Sequence, residues 1–74
     1  QQPKIVSNRD FQILAVSSFP GIGPELATRI LKKMSSVKEI FGASKKELLE
    51  IEGIGKEKAE KIIKLLELQF EEED

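Results

Sequence analysis

Phe19-Pro-Gly-Ile-Gly-Pro-Glu-Leu-Ala27 and Ile51-Glu-Gly-Ile-Gly-Lys-Glu-Lys-Ala59 decide the fold of this 74-residue chain. They begin thirty-two residues apart. Extended to Met34 and Leu66, they align without a gap and share seven of sixteen positions: Gly21/Gly53, Ile22/Ile54, Gly23/Gly55, Glu25/Glu57, Ala27/Ala59, Ile30/Ile62 and Lys32/Lys64. In each copy a Gly-Ile-Gly turn opens an amphipathic helix. Glycine permits positive φ and close approach of another backbone. The first N–H groups of the helix lack intrahelical partners and lie at the positive end of its dipole. Each copy is therefore a candidate anion site, and two copies predict a module that holds two phosphates.

Outward from these motifs the chain reads as helix, with no stretch of period-two alternation. Ser7 or Asn8 can cap a first helix over about Arg9–Ser18, with Phe11, Leu14 and Ala15 on one face. Pro20-Gly21 ends it. Pro24 suits the first position of the next helix, where its missing N–H costs nothing. Leu26, Ala27, Ile30, Leu31 and Met34 then form an apolar stripe at helical spacing. Two capping boxes follow. Ser36-x-x-Glu39 opens a short helix that carries Val37, Ile40 and Phe41 and stops at Gly42. Ser44-x-x-Glu47 opens another that carries Leu48, Leu49 and Ile51 and stops at Gly53. The last helix is expected over about Lys56–Phe70, with Ala59, Ile62, Ile63, Leu66 and Phe70 inward.

The expected architecture is all-α: five short helices in a pseudo-two-fold arrangement whose halves bury their apolar faces against each other. Residues 1–8 are expected to be a flexible lead-in, residues 9–70 the domain, and residues 71–74 an acidic tail. Ile22 and Ile54 are expected to insert into the core and fix the two turns. Ala27 and Ala59 are small where the two helices of one motif pack closely.

Composition narrows the chemistry. The chain has no cysteine and no histidine, so disulfides, zinc sites built on those ligands and histidine-based catalysis are excluded. Clustered carboxylates occur in Glu71-Glu-Glu-Asp74, where no scaffold is expected to hold them in catalytic geometry. The reading is thus non-catalytic, with no metal and no cofactor. No apolar run approaches the ~20 residues of a membrane helix, and an intracellular setting is expected. The formal net charge is −1, but the tail supplies four of the thirteen acids and leaves nine against twelve Lys and Arg. The body is therefore mildly basic. Lys56 and Lys58 stand in the first turn of the last helix, where the dipole prefers acids, so a functional reason is expected for them. Arg29 is a further basic candidate. Glu25 and Glu57 favour a helix start but repel a phosphate, and are expected to point away from it.

These residues resemble the tandem helix-hairpin-helix domain at the C-terminus of XPF and Hef structure-specific endonucleases, most nearly the archaeal members. The resemblance spans about Arg9–Phe70. It is carried by Phe19-Pro-Gly-Ile-Gly-Pro-x-x-Ala27, Ser36-Val-Lys-Glu-Ile-Phe-Gly-Ala-Ser-x-x-Glu-Leu48 and Glu52-Gly-Ile-Gly-x-x-x-Ala59. The C-terminal domain of the excision nuclease UvrC is similar too. The resemblance implies a domain that grips minor-groove phosphates of branched or duplex DNA and forms a homodimer. It places backbone contacts at Gly21, Ile22, Gly23, Gly53, Ile54 and Gly55, flanking charge at Lys56 and Lys58, and a dimer contact at Phe70. It implies no small-molecule substrate. Nothing here matches the family's nuclease signature, so a parent endonuclease would cut with another part of the protein. It places that parent in the cytoplasm of an archaeon or the nucleus of a eukaryote. A different class of function, a dimerisation or docking module with purely structural turns, is the competing expectation. Gly53–Lys58 is expected to be the stronger grip and Pro20–Pro24 the weaker.

Overall fold

The structure is a computed structural model and describes residues 7–72. Gln1–Val6 of the expected lead-in and residues 73–74 of the tail lie outside the described residues. Five helices follow in order: α1 Asn8–Ser17, α2 Pro24–Met34, α3 Val37–Phe41, α4 Lys45–Leu49 and α5 Lys56–Glu67. The described residues contain no strand.

Local chemistry accounts for three of the starts. The hydroxyls of Ser7, Ser36 and Ser44 accept from the N–H groups of Asp10, Glu39 and Glu47, each at 3.1 Å. At Ser44 the box is reciprocal, because the Ser44 N–H donates to Glu47 Oε1 at 2.9 Å. Pro24 is the first residue of α2, as expected.

α1 ends at Ser17, within one residue of its expected end, whereas α4 ends at Leu49 and not at Gly53, so the second hairpin begins earlier than the sequence suggests. The turn that follows sets each end. Ile22 N–H donates to Phe19 O at 3.1 Å and Ile54 N–H to Ile51 O at 3.0 Å, so Phe19 and Ile51 must leave the helix to serve as acceptors. The Ser17 and Ser18 hydroxyls donate to Leu14 O and Ala15 O and take up carbonyls left over at the end of α1. With Gly21 at φ +80° and Gly53 at φ +100° in the third position, both are type II turns, which require that sign.

The core repeats the motif alignment. Ile22 and Ile54, Ala27 and Ala59, and Ile30 and Ile62 are all buried as pseudo-equivalent pairs. Val16, Ile40, Leu48 and Ile51 fill the space between them. Burial of each of these isoleucines stabilises the fold by roughly 2 kcal/mol or more. The α1 face is a correction. Val16, with Ile13 one turn before it, meets the core, while Phe11 is half exposed. α1 packs on α2 and α3, which places the i, i+3 pair Ile13/Val16 inward. On α4, Leu48 is buried while Leu49 is exposed. Phe41 is half exposed but meets the Phe19 ring edge-to-face at 6.1 Å, which ties α3 to the first hairpin.

The C-terminus is the larger correction. α5 stops at Glu67 because Leu68 turns to an extended conformation (φ −65°, ψ 133°). Phe70 therefore lies off the helix and is 90% exposed, so it is not a core residue of its own domain. No helix of the described residues is long and apolar enough to cross a membrane.

Candidate functional site

The five helix starts fall into two kinds. α1, α3 and α4 are capped by a serine side chain, whereas α2 and α5 begin at Gly23 and Gly55 with no side-chain cap. These two glycines are not demanded by the backbone. Gly23 (φ −87°, ψ 179°) and Gly55 (φ −91°, ψ −176°) are extended, a conformation open to any residue. A Cβ built on either would have no atom within 4 Å. The fold thus has room for serine at both places, and both hold glycine. Their openness leaves the first N–H groups of α2 and α5 available to an acceptor from outside the chain.

The glycines of the turns are different. Gly21 and Gly53 need their positive φ, and each sits under a side chain of the other motif. A Cβ on Gly21 would lie 3.4 Å from Cε of Lys58. A Cβ on Gly53 would lie 2.8 Å from Nη1 of Arg29 and 2.9 Å from Cδ1 of Leu26. Leu26 and Lys58 are pseudo-equivalent, so each helix lays its third residue over the opposite hairpin. The two hairpins consequently stand side by side across a shallow cleft lined by Gly21, Gly23, Glu25, Arg29, Gly53 and Lys58, among others.

The structure brings most of the sequence candidates together here and redistributes their roles. Ile22 and Ile54 are buried anchors, and their N–H groups are already used within the turns. Neither can donate to a phosphate through its N–H, which corrects their expected place among the backbone contacts. Lys58 belongs by contact to the first hairpin, although it follows the second in sequence. Lys56 is exposed at the head of α5. Arg29 donates from Nη1 to Glu52 O at 3.0 Å, a bond between α2 and the second hairpin that no local pattern announces. Glu57 shares a separate groove with Glu60, Lys61 and Lys64, but Glu25 stays at the cleft, contrary to its expected direction. No cluster of residues able to hold a metal ion occurs among the described residues.

Electrostatics are mild. Lys45 Nζ meets Glu60 Oε2 at 2.8 Å and joins α4 to α5. That hydrogen bond, the Lys45 charge and the nearby Lys56 hold the Glu60 carboxyl below its ordinary range.

Comparison with known proteins places this geometry. A putative ATP-dependent RNA helicase of Methanocaldococcus jannaschii is 39% identical over 66 residues, covering 89% of this chain and 8% of its own length. The 3'-flap repair endonuclease Xpf of Saccharolobus solfataricus is 39% identical over 67 residues, 90% of this chain and 28% of its own. UvrABC system protein C of Haloarcula marismortui is 43% identical over 54 residues, 73% of this chain and 9% of its own. Among solved structures, XPF from Aeropyrum pernix superposes with a TM-score of 0.90 at 39% identity, covering 96% of this chain and 34% of that one. The same protein in complex with DNA superposes with a TM-score of 0.85 at 41% identity, over 92% of this chain. The chain thus spans less than a third of each of these curated relatives. The doubled hairpin, the five-helix order and a family match across residues 13–69 agree: the chain belongs to the SAM-like helix-hairpin-helix tandem family.

Proposed function

We propose that this chain is a sequence-independent, structure-selective DNA-binding module that holds backbone phosphates at its two Gly-Ile-Gly hairpins. It serves an intracellular junction- or flap-cutting nuclease and is itself non-catalytic. The observation that carries the reading is the pair of uncapped helix starts at Gly23 and Gly55 in a domain that caps its other three helices with serine. A phosphate oxygen is the acceptor those N–H groups lack. Gly21, Gly23, Gly53 and Gly55 let the DNA backbone approach, and Lys56 and Lys58 add charge. Contacts of this kind carry no base identity. The likeness to an XPF solved with DNA and to a 3'-flap repair endonuclease supports both the ligand and the parent activity.

The test is the double variant Gly23→Ser/Gly55→Ser. Serine supplies the internal cap that α1, α3 and α4 already use, so the free protein is expected to gain a few tenths of a kcal/mol per site. Affinity for a branched duplex, read by fluorescence anisotropy, should fall while stability rises. Wild-type affinity should also drop on the order of tenfold to a hundredfold between about 50 and 200 mM salt. Undiminished binding by the serine variant would remove the hairpins as the site.

The module also pairs with a second copy of itself through Phe70. Phe70 and Leu68, 90% and 61% exposed, stand beyond the end of α5 with Leu65 exposed on its last turn. Exposed apolar side chains this close together in sequence offer an association surface. Sedimentation should show a dimer that Phe70→Ser converts to monomer with unchanged helicity. A Phe70→Ser variant that sediments like the wild type would sink this pairing.

A further inference from the structure

We propose that Arg29 is the positioning residue of the second hairpin, locking its turn from outside as Pro20 locks the first from within. The inference rests on the DNA-binding reading for its consequence, but its structural half stands alone.

The two turns have the same form and different second residues. In Phe19-Pro20-Gly21-Ile22 the second residue is proline, whose ring fixes φ near the value a type II turn requires. In Ile51-Glu52-Gly53-Ile54 it is Glu52, which leaves that angle free. What distinguishes a type II turn from type I is the orientation of its central peptide. Here that peptide joins Glu52 to Gly53, and its carbonyl is the one Arg29 Nη1 holds at 3.0 Å. The peptide is planar and trans, so fixing the Glu52 C=O also fixes the Gly53 N–H, which points the opposite way. Gly53 in turn leads to the open N–H groups of Gly55 and α5. A carbonyl bonded to a guanidinium also polarises the N–H of its own peptide, making it a better donor.

Packing limits the alternatives. Arg29 Nη1 and Leu26 Cδ1 stand less than 3.0 Å from where a Gly53 Cβ would be, so α2 lies directly on this turn. At the pseudo-equivalent position of α5 is Lys61, which shares a groove with Glu57, Glu60 and Lys64. The strut is therefore used where the proline is missing. It also fixes the second hairpin relative to α2, the helix the first hairpin opens, and so sets the spacing of the two grips.

The experiment uses Arg29→Met, Glu52→Pro and their combination, with Glu52→Gln added to Arg29→Met as the control for the charge that proline removes. Glu52 N–H donates to nothing that proline would forfeit. In the free protein, Arg29→Met should shift and broaden the amide resonances of Gly53 and Gly55 and leave those of Gly21 and Gly23 in place. Adding Glu52→Pro should return them to the positions seen in Glu52→Pro alone. Against a branched duplex, Arg29→Met should weaken binding about tenfold, the scale of one charged hydrogen bond, with an unchanged salt slope. The double variant should recover to within about threefold of Glu52→Pro, and Glu52→Gln should not rescue. A salt slope reduced by about one, with no recovery by proline, would make Arg29 a phosphate ligand and overturn the proposal. Unmoved Gly53 and Gly55 amides would overturn it as well. Absence of DNA binding by the wild type would remove the DNA reading, and the amide measurements would still decide the strut.

Discussion

The first hairpin carries proline on both sides of its glycines, Pro20 inside the turn and Pro24 at the head of α2, where the second carries Glu52 and Lys56. The first is thus rigid by covalent structure and is pinned further by the Phe19–Phe41 ring contact. The second owes its shape to tertiary contacts from Arg29 and Leu26. Pro24 also deletes one of the N–H groups that α2 could offer an anion, while Lys56 keeps its own. A duplicated motif has therefore diverged in two directions: one copy favours rigidity, the other keeps more donors and relies on its neighbours to hold them. Lys58 partly offsets the difference, because it leans over the first hairpin and sets a positive charge beside Glu25 there.

The widest gap between the two turns should appear in stability when each positive-φ glycine becomes alanine. At Gly21 the cost is backbone strain, about 1–2 kcal/mol, since the nearest atom is the flexible end of Lys58 at 3.4 Å. At Gly53 the same strain is joined by displacement of Leu26 and loss of the Arg29–Glu52 bond, for about 2–4 kcal/mol in all. Urea unfolding of Gly21→Ala and Gly53→Ala measures both. Equal losses would mean that the cross-packing contributes nothing and that the hairpins differ only in sequence.

That difference was half legible in the sequence. The doubled Gly-Ile-Gly pattern gave the five helices, the pseudo-symmetry and the buried Ile22/Ile54 pair, because period and turn chemistry are local signals. Pro24 at a helix start and the serine caps were readable for the same reason. The end of α4 was not, since it depends on which carbonyl closes the next turn. Nor could sequence order show that Lys58 serves the hairpin it does not follow. Only its charge marks Arg29 in the sequence; its bond to Glu52 spans twenty-three residues and leaves no periodic trace. One signal was available: a type II turn with proline in one copy and glutamate in the other asks what replaces the proline. The apolar stripe, continued, puts Phe70 on α5, but Leu68 breaks the helix without proline or glycine to mark it.

Single serine substitutions sharpen the comparison at the level of binding. Gly55→Ser blocks the start that has the additional N–H and Lys56 beside it, and Gly23→Ser blocks the start headed by Pro24. The loss of affinity for a branched duplex is expected to be about threefold to tenfold greater for Gly55→Ser, the worth of one further charge-assisted contact. Anisotropy titrations at one fixed salt concentration provide the measurement. Equal losses would show that Lys58 fully compensates the first hairpin, and a larger loss at Gly23 would reverse the ranking of the two grips.

The smallest effect expected concerns the helix behind the second hairpin. Lys45 and Glu60 tie α5 to α4, and the Glu60 carboxyl is held below its ordinary range first by the hydrogen bond from Lys45, then by the Lys45 charge. A lowered folded-state value means that the unfolded chain binds this proton more readily, so the pair stabilises the fold at neutral pH and ceases to as acid protonates Glu60. Both side chains are about half exposed, at 42% and 50%, which screens the interaction and keeps its contribution slight. Glu60→Gln should therefore lower stability marginally at neutral pH, with a gap that closes as pH falls through the carboxylate range and that shrinks in high salt. If the gap instead persists at acid pH, the contribution of Glu60 is not its charge, and the second hairpin's helix is held by packing alone.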